Sequence, residues 1–221
     1  SYTGDPWIRG ASGVTSHVVE EGRPVGQFFI LECTGIKDGK YIITDLNGDG
    51  EISDDDRTYV GDAQPDLTFG WQNNFTWKNW DFSFFFRGTI GNKVLNNPRA
   101  AYANNTYLIG TNALDDELTY TMKESSRVCS YYLENGSFIR LDNLALGYTF
   151  DTKKINWLDK ARLYFAAQNL FVITGYKGLD PEVELFRGES SDTDAGLSPG
   201  IEPRQFFPKA RTFTLGVNLT F

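Results

Sequence analysis

The stretch from Arg211 to Phe221, RTFTLGVNLTF, alternates without a slip. Phe213, Leu215, Val217, Leu219 and Phe221 are apolar, and Thr212, Thr214, Gly216, Asn218 and Thr220 are small or polar. A period of two sends successive side chains to opposite faces of an extended backbone, so this pattern predicts a β-strand. The length suits a tilted strand crossing a bilayer, which takes about 9–11 residues. It equally suits a half-buried strand of a soluble sandwich.

Other segments repeat the pattern. From Leu67 to Trp77 one face carries Leu67, Phe69, Trp71, Phe75 and Trp77, interrupted only by Asn73, and the other carries Thr68, Gly70, Gln72, Asn74 and Thr76. Lys78-Asn79 reads as a two-residue turn. Trp80, Phe82, Phe84 and Phe86 then open a third alternation that runs to about Ile90, so 67–90 is a predicted hairpin. Phe138 to Phe150 is a fourth strand. Its apolar parity shifts between Leu141 and Leu144, which predicts a β-bulge near Asp142-Asn143. Ala161 to Thr174 is a fifth, with parity blurring after Ala167. Shorter strands are expected at Val25–Leu31 and Lys40–Thr44, a loop over 1–24, and a helical turn at Ile155–Leu158.

Charge sharpens this picture. None of the seventeen positions on the apolar faces of 67–77, 80–90 and 213–221 is charged, although 23% of the chain is. A charge facing lipid at mid-depth costs about 2–4 kcal/mol. Trp77 and Trp80 flank the turn, where an interfacial aromatic girdle would lie. Two connections are short (78–79 and 151–160), and the two at the other end of the meander are long and polar (91–136 and 175–210). Outer-membrane barrels show that asymmetry, with short periplasmic turns and long outer loops. No apolar run reaches the ~18 residues of a transmembrane helix, which says nothing about a barrel. With 29 acidic against 21 basic residues, a nucleic-acid partner is not expected.

One loop carries candidate chemistry. Asp45 to Asp56, DLNGDGEISDDD, fits the twelve-residue calcium loop. Asp45, Asn47 and Asp49 stand at positions 1, 3 and 5, and Gly50 takes the sharp turn at position 6. Glu51 would offer its carbonyl at position 7, Ser53 would act through water at position 9, and Asp56 closes at position 12. Asp in place of Glu there resembles the dockerin variant, and the β-like residues before Asp45 argue against a paired EF-hand. A plain Asx-rich turn is the alternative. A bound calcium would be structural.

Elsewhere the chemistry is sparse. His17 is the only histidine and reads as a surface residue. Cys33 and Cys129 have no metal or redox spacing, and whether they pair is left open. No nucleophile–base set or phosphate loop is legible, so an enzyme is not expected.

Four stretches carry a resemblance: "DLNGDGEISDDDRTYVGDAQPDLTFGWQNNFTWKNWDFSFFFRGTIGN", "YYLENGSFIRLDNLALGYTF", "ARLYFAAQNLFVITGYKGLDPEV" and "FFPKARTFTLGVNLTF". Together they resemble the C-terminal part of SusC/RagA-type TonB-dependent outer-membrane transporters. The resemblance implies an all-β, antiparallel transmembrane barrel of about 22 strands closed around a plug, sited in the bacterial outer membrane. It implies import of oligosaccharides or peptides with a SusD-like surface lipoprotein, energised by the TonB complex. It also likens the last strand, with Phe213, Leu215, Val217, Leu219 and Phe221, to the signal read by the outer-membrane assembly machinery. Plug and most barrel strands have no counterpart here. Five or six strands cannot close such a barrel, so the chain is expected to be a C-terminal fragment that does not transport by itself. The competing expectation is a secreted soluble β-sandwich that binds carbohydrate and carries a dockerin-like calcium loop.

Overall fold

The structure is a computed structural model that describes residues 7–9, 14–104, 112–155, 157–183, 197–204 and 207–221. Parts of the 1–24 and 175–210 segments, and Asn156 in the expected helical turn, lie outside the described residues. The first strands are β1 (Trp7–Arg9), β2 (Thr15–Val18), β3 (Gln27–Leu31), β4 (Cys33–Lys37), β5 (Lys40–Ile43) and β6 (Arg57–Asp62). Then come β7 (Leu67–Trp77), β8 (Trp80–Ile90), β9 (Lys93–Leu95), helices α1 (Asn97–Tyr102) and α2 (Glu117–Thr121), and β10 (Leu133–Asn135). The chain closes with β11 (Phe138–Phe150), β12 (Lys160–Thr174) and β13 (Thr212–Thr220). It divides into two compact units: Ser1–Asp66 with Gly91–Gly136 and Tyr176–Phe207, and Leu67–Ile90 with Ser137–Gly175 and Pro208–Phe221.

The second unit is one antiparallel sheet in the order β13-β12-β11-β8-β7. Its five long strands are those the alternation predicts. Lys78 takes the left-handed backbone (φ 55°) that the two-residue β7–β8 turn requires. The register explains the uncharged faces. Phe75 pairs with Phe82, Phe82 with Leu146, Leu146 with Phe165, and Phe165 with Leu215, so one apolar row crosses all five strands. Trp77, Trp80, Tyr148, Leu163 and Val217 form the next row. Most of these side chains stay exposed, Trp77 by 67%, Leu215 by 74% and Phe75 by 53%, with Phe82 and Tyr148 half-buried among their neighbours. A soluble sandwich would bury such a face under a second sheet.

The two parity breaks are one feature. Between Leu141 and Asn143 the register shifts against β8 and β12 alike, leaving Asp142 unpaired on one strand and Asn169-Leu170 opposite. Polar partners hold both irregularities. Arg87 Nε lies 3.2 Å from the Asp142 carboxylate, and Asn169, at φ 52°, accepts from Arg140 and donates to Lys209 O at 2.6 Å.

The first unit has its own core of Phe28, Ile30, Leu31, Leu95, Leu118, Met122, Cys129 and Tyr132. Those residues come from segments far apart in sequence, including the expected long loop 91–136. That loop therefore contains ordered structure: β9 pairs with β10, and α1 begins at an Asn96 cap with Pro98 in its first turn. The expected loop 1–24 contains β1 and β2, which join β3 and β6 in a four-stranded sheet. His17 is fully buried, against the surface reading, and packs on Phe28 at 4.5 Å.

Candidate functional site

In the first unit the Asp45–Asp56 loop connects β5 to β6 and wraps around its own backbone N–H groups. Asp45 accepts from Gly48 N at 2.7 Å and Gly50 N at 3.0 Å; both glycines have positive φ (73° and 84°), so each bend is one an L side chain resists. Asn47 accepts from Asp49 N at 2.9 Å, and Asp49 accepts from Glu51 N at 2.8 Å. Asn47 also donates to Asp49 at 2.8 Å. Asp45, Asn47 and Asp49 are thus gathered in one turn system, and each oxygen engaged by an N–H keeps a second lone pair.

Asp56 is placed differently. It is fully buried, and its carboxylate accepts from Leu46 N at 2.9 Å, Asn47 N at 3.4 Å and Ser53 N at 2.9 Å. The bond from Ser53, with those from Leu46 and Asn47, holds its pKa below the usual carboxylate range against the opposing effect of burial. Ser53 caps the short 3-10 turn Asp54–Asp56 and exchanges capping-box bonds with Asp56. In this geometry Asp56 closes the loop through hydrogen bonds. Among the described residues, no three His, Cys, Asp or Glu side chains converge as a metal-holding group.

The end of the loop forms part of the wall of a cavity of about 370 Å³. Ile52, Ser53 and Asp54 line it with Arg57, Arg127 and Arg204. Arg57 is committed to Asp54 at 2.8 Å, and Arg204 lies 6.0 Å from the Tyr102 ring. Three guanidinium groups against one carboxylate give this cavity a positive character suited to donating hydrogen bonds to carboxylate or hydroxyl-rich groups. Sequence gave no hint of it, because its walls come from positions 14 to 204.

In the second unit the non-apolar face carries a bidentate ion pair at the short-turn end. Arg162 Nε donates to Asp81 Oδ1 at 2.9 Å, and its Nη2 lies 2.5 Å from Oδ2. The pair spans β8 to β12 across β11, over Gly147, whose missing Cβ would occupy the space of both charged groups. Tyr164 lies over Gly216 in the same manner. The short-turn end of the sheet gathers aromatics: Trp80 and Tyr148 at 4.8 Å, Tyr148 and Phe150 at 4.9 Å, and Trp157 stacked on Phe221 at 5.7 Å. The expected assembly-signal residues Phe213, Leu215, Val217 and Leu219 share the exposed apolar side of β13. Phe221 follows that strand and is 73% exposed.

No family model matches the chain. Curated relatives do. The chain is 32% identical over 237 aligned residues to TonB-dependent receptor P3 of Formosa agariphila, covering 93% of the chain and 23% of the receptor. It is 30% identical over 236 residues to TonB-dependent receptor SusC of Bacteroides thetaiotaomicron, covering 99% of the chain and 21% of that protein. Among solved structures, the RagAB peptide importer in its closed-closed state superposes with a TM-score of 0.68 at 25% identity, over 88% of this chain and 23% of that one. A second structure of the RagAB peptide transporter gives 0.65, also at 25% identity and with the same coverage. Sequence and fold together therefore make this chain a homologue of TonB-dependent receptors, with the all-β antiparallel architecture expected of their barrel. Within that class the resemblance is to the SusC/RagA type, as the sequence motifs imply. The chain spans about a quarter of the length of the relatives it matches.

Proposed function

We propose that this chain is part of an outer-membrane importer energised by the TonB complex, which takes up oligosaccharides or peptides with a SusD-like surface lipoprotein. The observation that carries the reading is the exposed apolar row running unbroken across five strands, with aromatics gathered at the short-turn end. Bilayer-facing barrel surfaces have that construction, and the relatives bear TonB-dependent receptor names. The opposite face, with Thr, Asn, Gln and Gly and few charges, suits a hydrated lumen. In the full-length protein this predicts recovery with the outer membrane and release only by detergent, and uptake that stops when the proton gradient driving TonB is collapsed. Recovery in the soluble phase without detergent would sink the reading.

A structural calcium in the Asp45–Asp56 loop belongs to the same proposal. Asp45, Asn47 and Asp49 are the donor types calcium takes, and the turn around Gly50 is the one its loop requires. Asp56 would retain its loop-closing bonds. Chelating calcium from the full-length protein is expected to speed proteolytic cleavage within 45–56; an unchanged cleavage rate contradicts the calcium role and leaves the import reading intact.

A further inference from the structure

The first unit buries two thiols that the transport reading does not use. Cys33 opens β4, and Cys129 precedes the 3-10 turn Ser130–Tyr132. Their segments are locked together in the backbone. Leu31 and Cys129 form a parallel β-bridge, Cys33 N donates to Ser130 Oγ at 2.8 Å, and Ser130 Oγ donates back to Cys33 O at 3.3 Å. Both cysteines sit in the same core cluster, Cys129 at 0% exposure and Cys33 at 9%. The two thiols are within hydrogen-bonding reach of each other. Tyr41 and Tyr132, joined through their hydroxyls at 2.8 Å, belong to the same cluster or pack against it.

We infer that Cys33 and Cys129 are joined by a disulfide in the exported protein, a crosslink that ties β4 to the segment before β10. The inference rests on the outer-membrane reading, because it needs a compartment where disulfides persist. The oxidant is a protein disulfide of the exported compartment. The Cys33 thiolate attacks one sulfur of that donor, forming a mixed disulfide and expelling one donor thiolate. Cys129, on losing its proton, attacks the Cys33 sulfur and expels the second. Two thiols of this chain become one S–S bond, and their two protons and two electrons pass to the donor disulfide, which becomes a dithiol.

Geometry also sets the order of events. With Cys129 enclosed and Cys33 nearly so, a folded core leaves no approach for a protein oxidant, so exchange precedes closure of the unit. The bridge closes a loop of about 100 residues, a length at which crosslinking restricts the unfolded chain strongly. That loop contains the whole β7–β8 hairpin.

The test uses the full-length protein, expressed with export, quenched in acid and denatured in alkylating reagent without reductant, then digested for mass spectrometry. The expected result is a peptide linking Cys33 to Cys129, lighter than the sum of its reduced parts by two hydrogens and separated by reductant. Alkylation of both cysteines, or linkage of either to another cysteine, overturns the inference. Flotation of the same preparation is read separately. Two free thiols in a protein that floats with the outer membrane overturn the disulfide alone; a linked peptide in a protein that does not float upholds the bridge and removes the location.

Discussion

His17 illustrates how much one side chain's surroundings decide. It is enclosed beside Phe28, with Ser16 Oγ 2.9 Å from its Nδ1, and burial pushes its pKa down to about 4. A folded-state pKa below the unfolded value near 6.5 means that the unfolded chain binds the proton more readily. The stabilising effect is therefore complete above about pH 6.5 and is lost as pH falls toward 4, by at most about 3 kcal/mol. Hydrogen exchange of the β2–β3 amides should accelerate across that window, and His17→Phe should flatten the pH dependence. Gly147 makes a second residue-scale case. Because the atoms nearest a Cβ there are the movable ends of Asp81 and Arg162, Gly147→Ala should break the ion pair and leave the sheet intact. The expected loss is about 1 kcal/mol or less, since the pair is partly exposed. Thermal unfolding in detergent would measure it, and a loss of several kcal/mol would show that Gly147 does more than admit the pair.

Between elements, Arg99 is the main tie in the segment that reads as a loop. From α1 it reaches Asp116, the cap of α2, at 2.8 Å, and Glu134 of β10 at 3.5 Å. Glu134 also accepts from Asn96 at 3.1 Å and from Lys177 N at 2.7 Å. Removing the guanidinium leaves two mostly buried carboxylates without their main cation, so Arg99→Ala should cost about 3 kcal/mol. Faster protease cleavage across 112–136, with the β7–β8 hairpin still protected, is the expected readout. Strands differ from this segment in how they announce themselves. Eleven residues of period two, broken only at Asn73, fix both type and limits of β7, whereas β9 and β10 have three residues each, too few to show a period. The bulge at Asp142 was legible as a parity shift; its counterpart at Asn169 was visible only as blurring, because Ala166 and Ala167 carry little contrast. In the 45–56 loop, residue types and spacing were legible. The burial of Asp56 was not, since it depends on which backbone N–H groups the folded loop turns inward.

For the whole molecule, the chain forms two compact units, and only the sheet unit is legible along the sequence. The reason is physical: a core assembled from Phe28, Leu95, Leu118 and Cys129 leaves little local periodicity, because most segments contribute only one or two residues. The sheet has the opposite character, with its energetic logic written along every strand. Replacing Phe165, in the middle of the apolar row, by Arg should cost about 2–4 kcal/mol and reduce the assembled full-length protein, while Thr214→Arg on the opposite face should be tolerated. Quantifying heat-modifiable barrel in membranes distinguishes the two. Contact of this face with lipid is measured by nitroxide labels placed singly at 163–166 and 213–217 in the full-length protein in bilayers. Collision with dissolved oxygen is expected at 163, 165, 213, 215 and 217, and with a water-soluble relaxer at 164, 166, 214 and 216. Equal access of the water-soluble relaxer to both sets would contradict it.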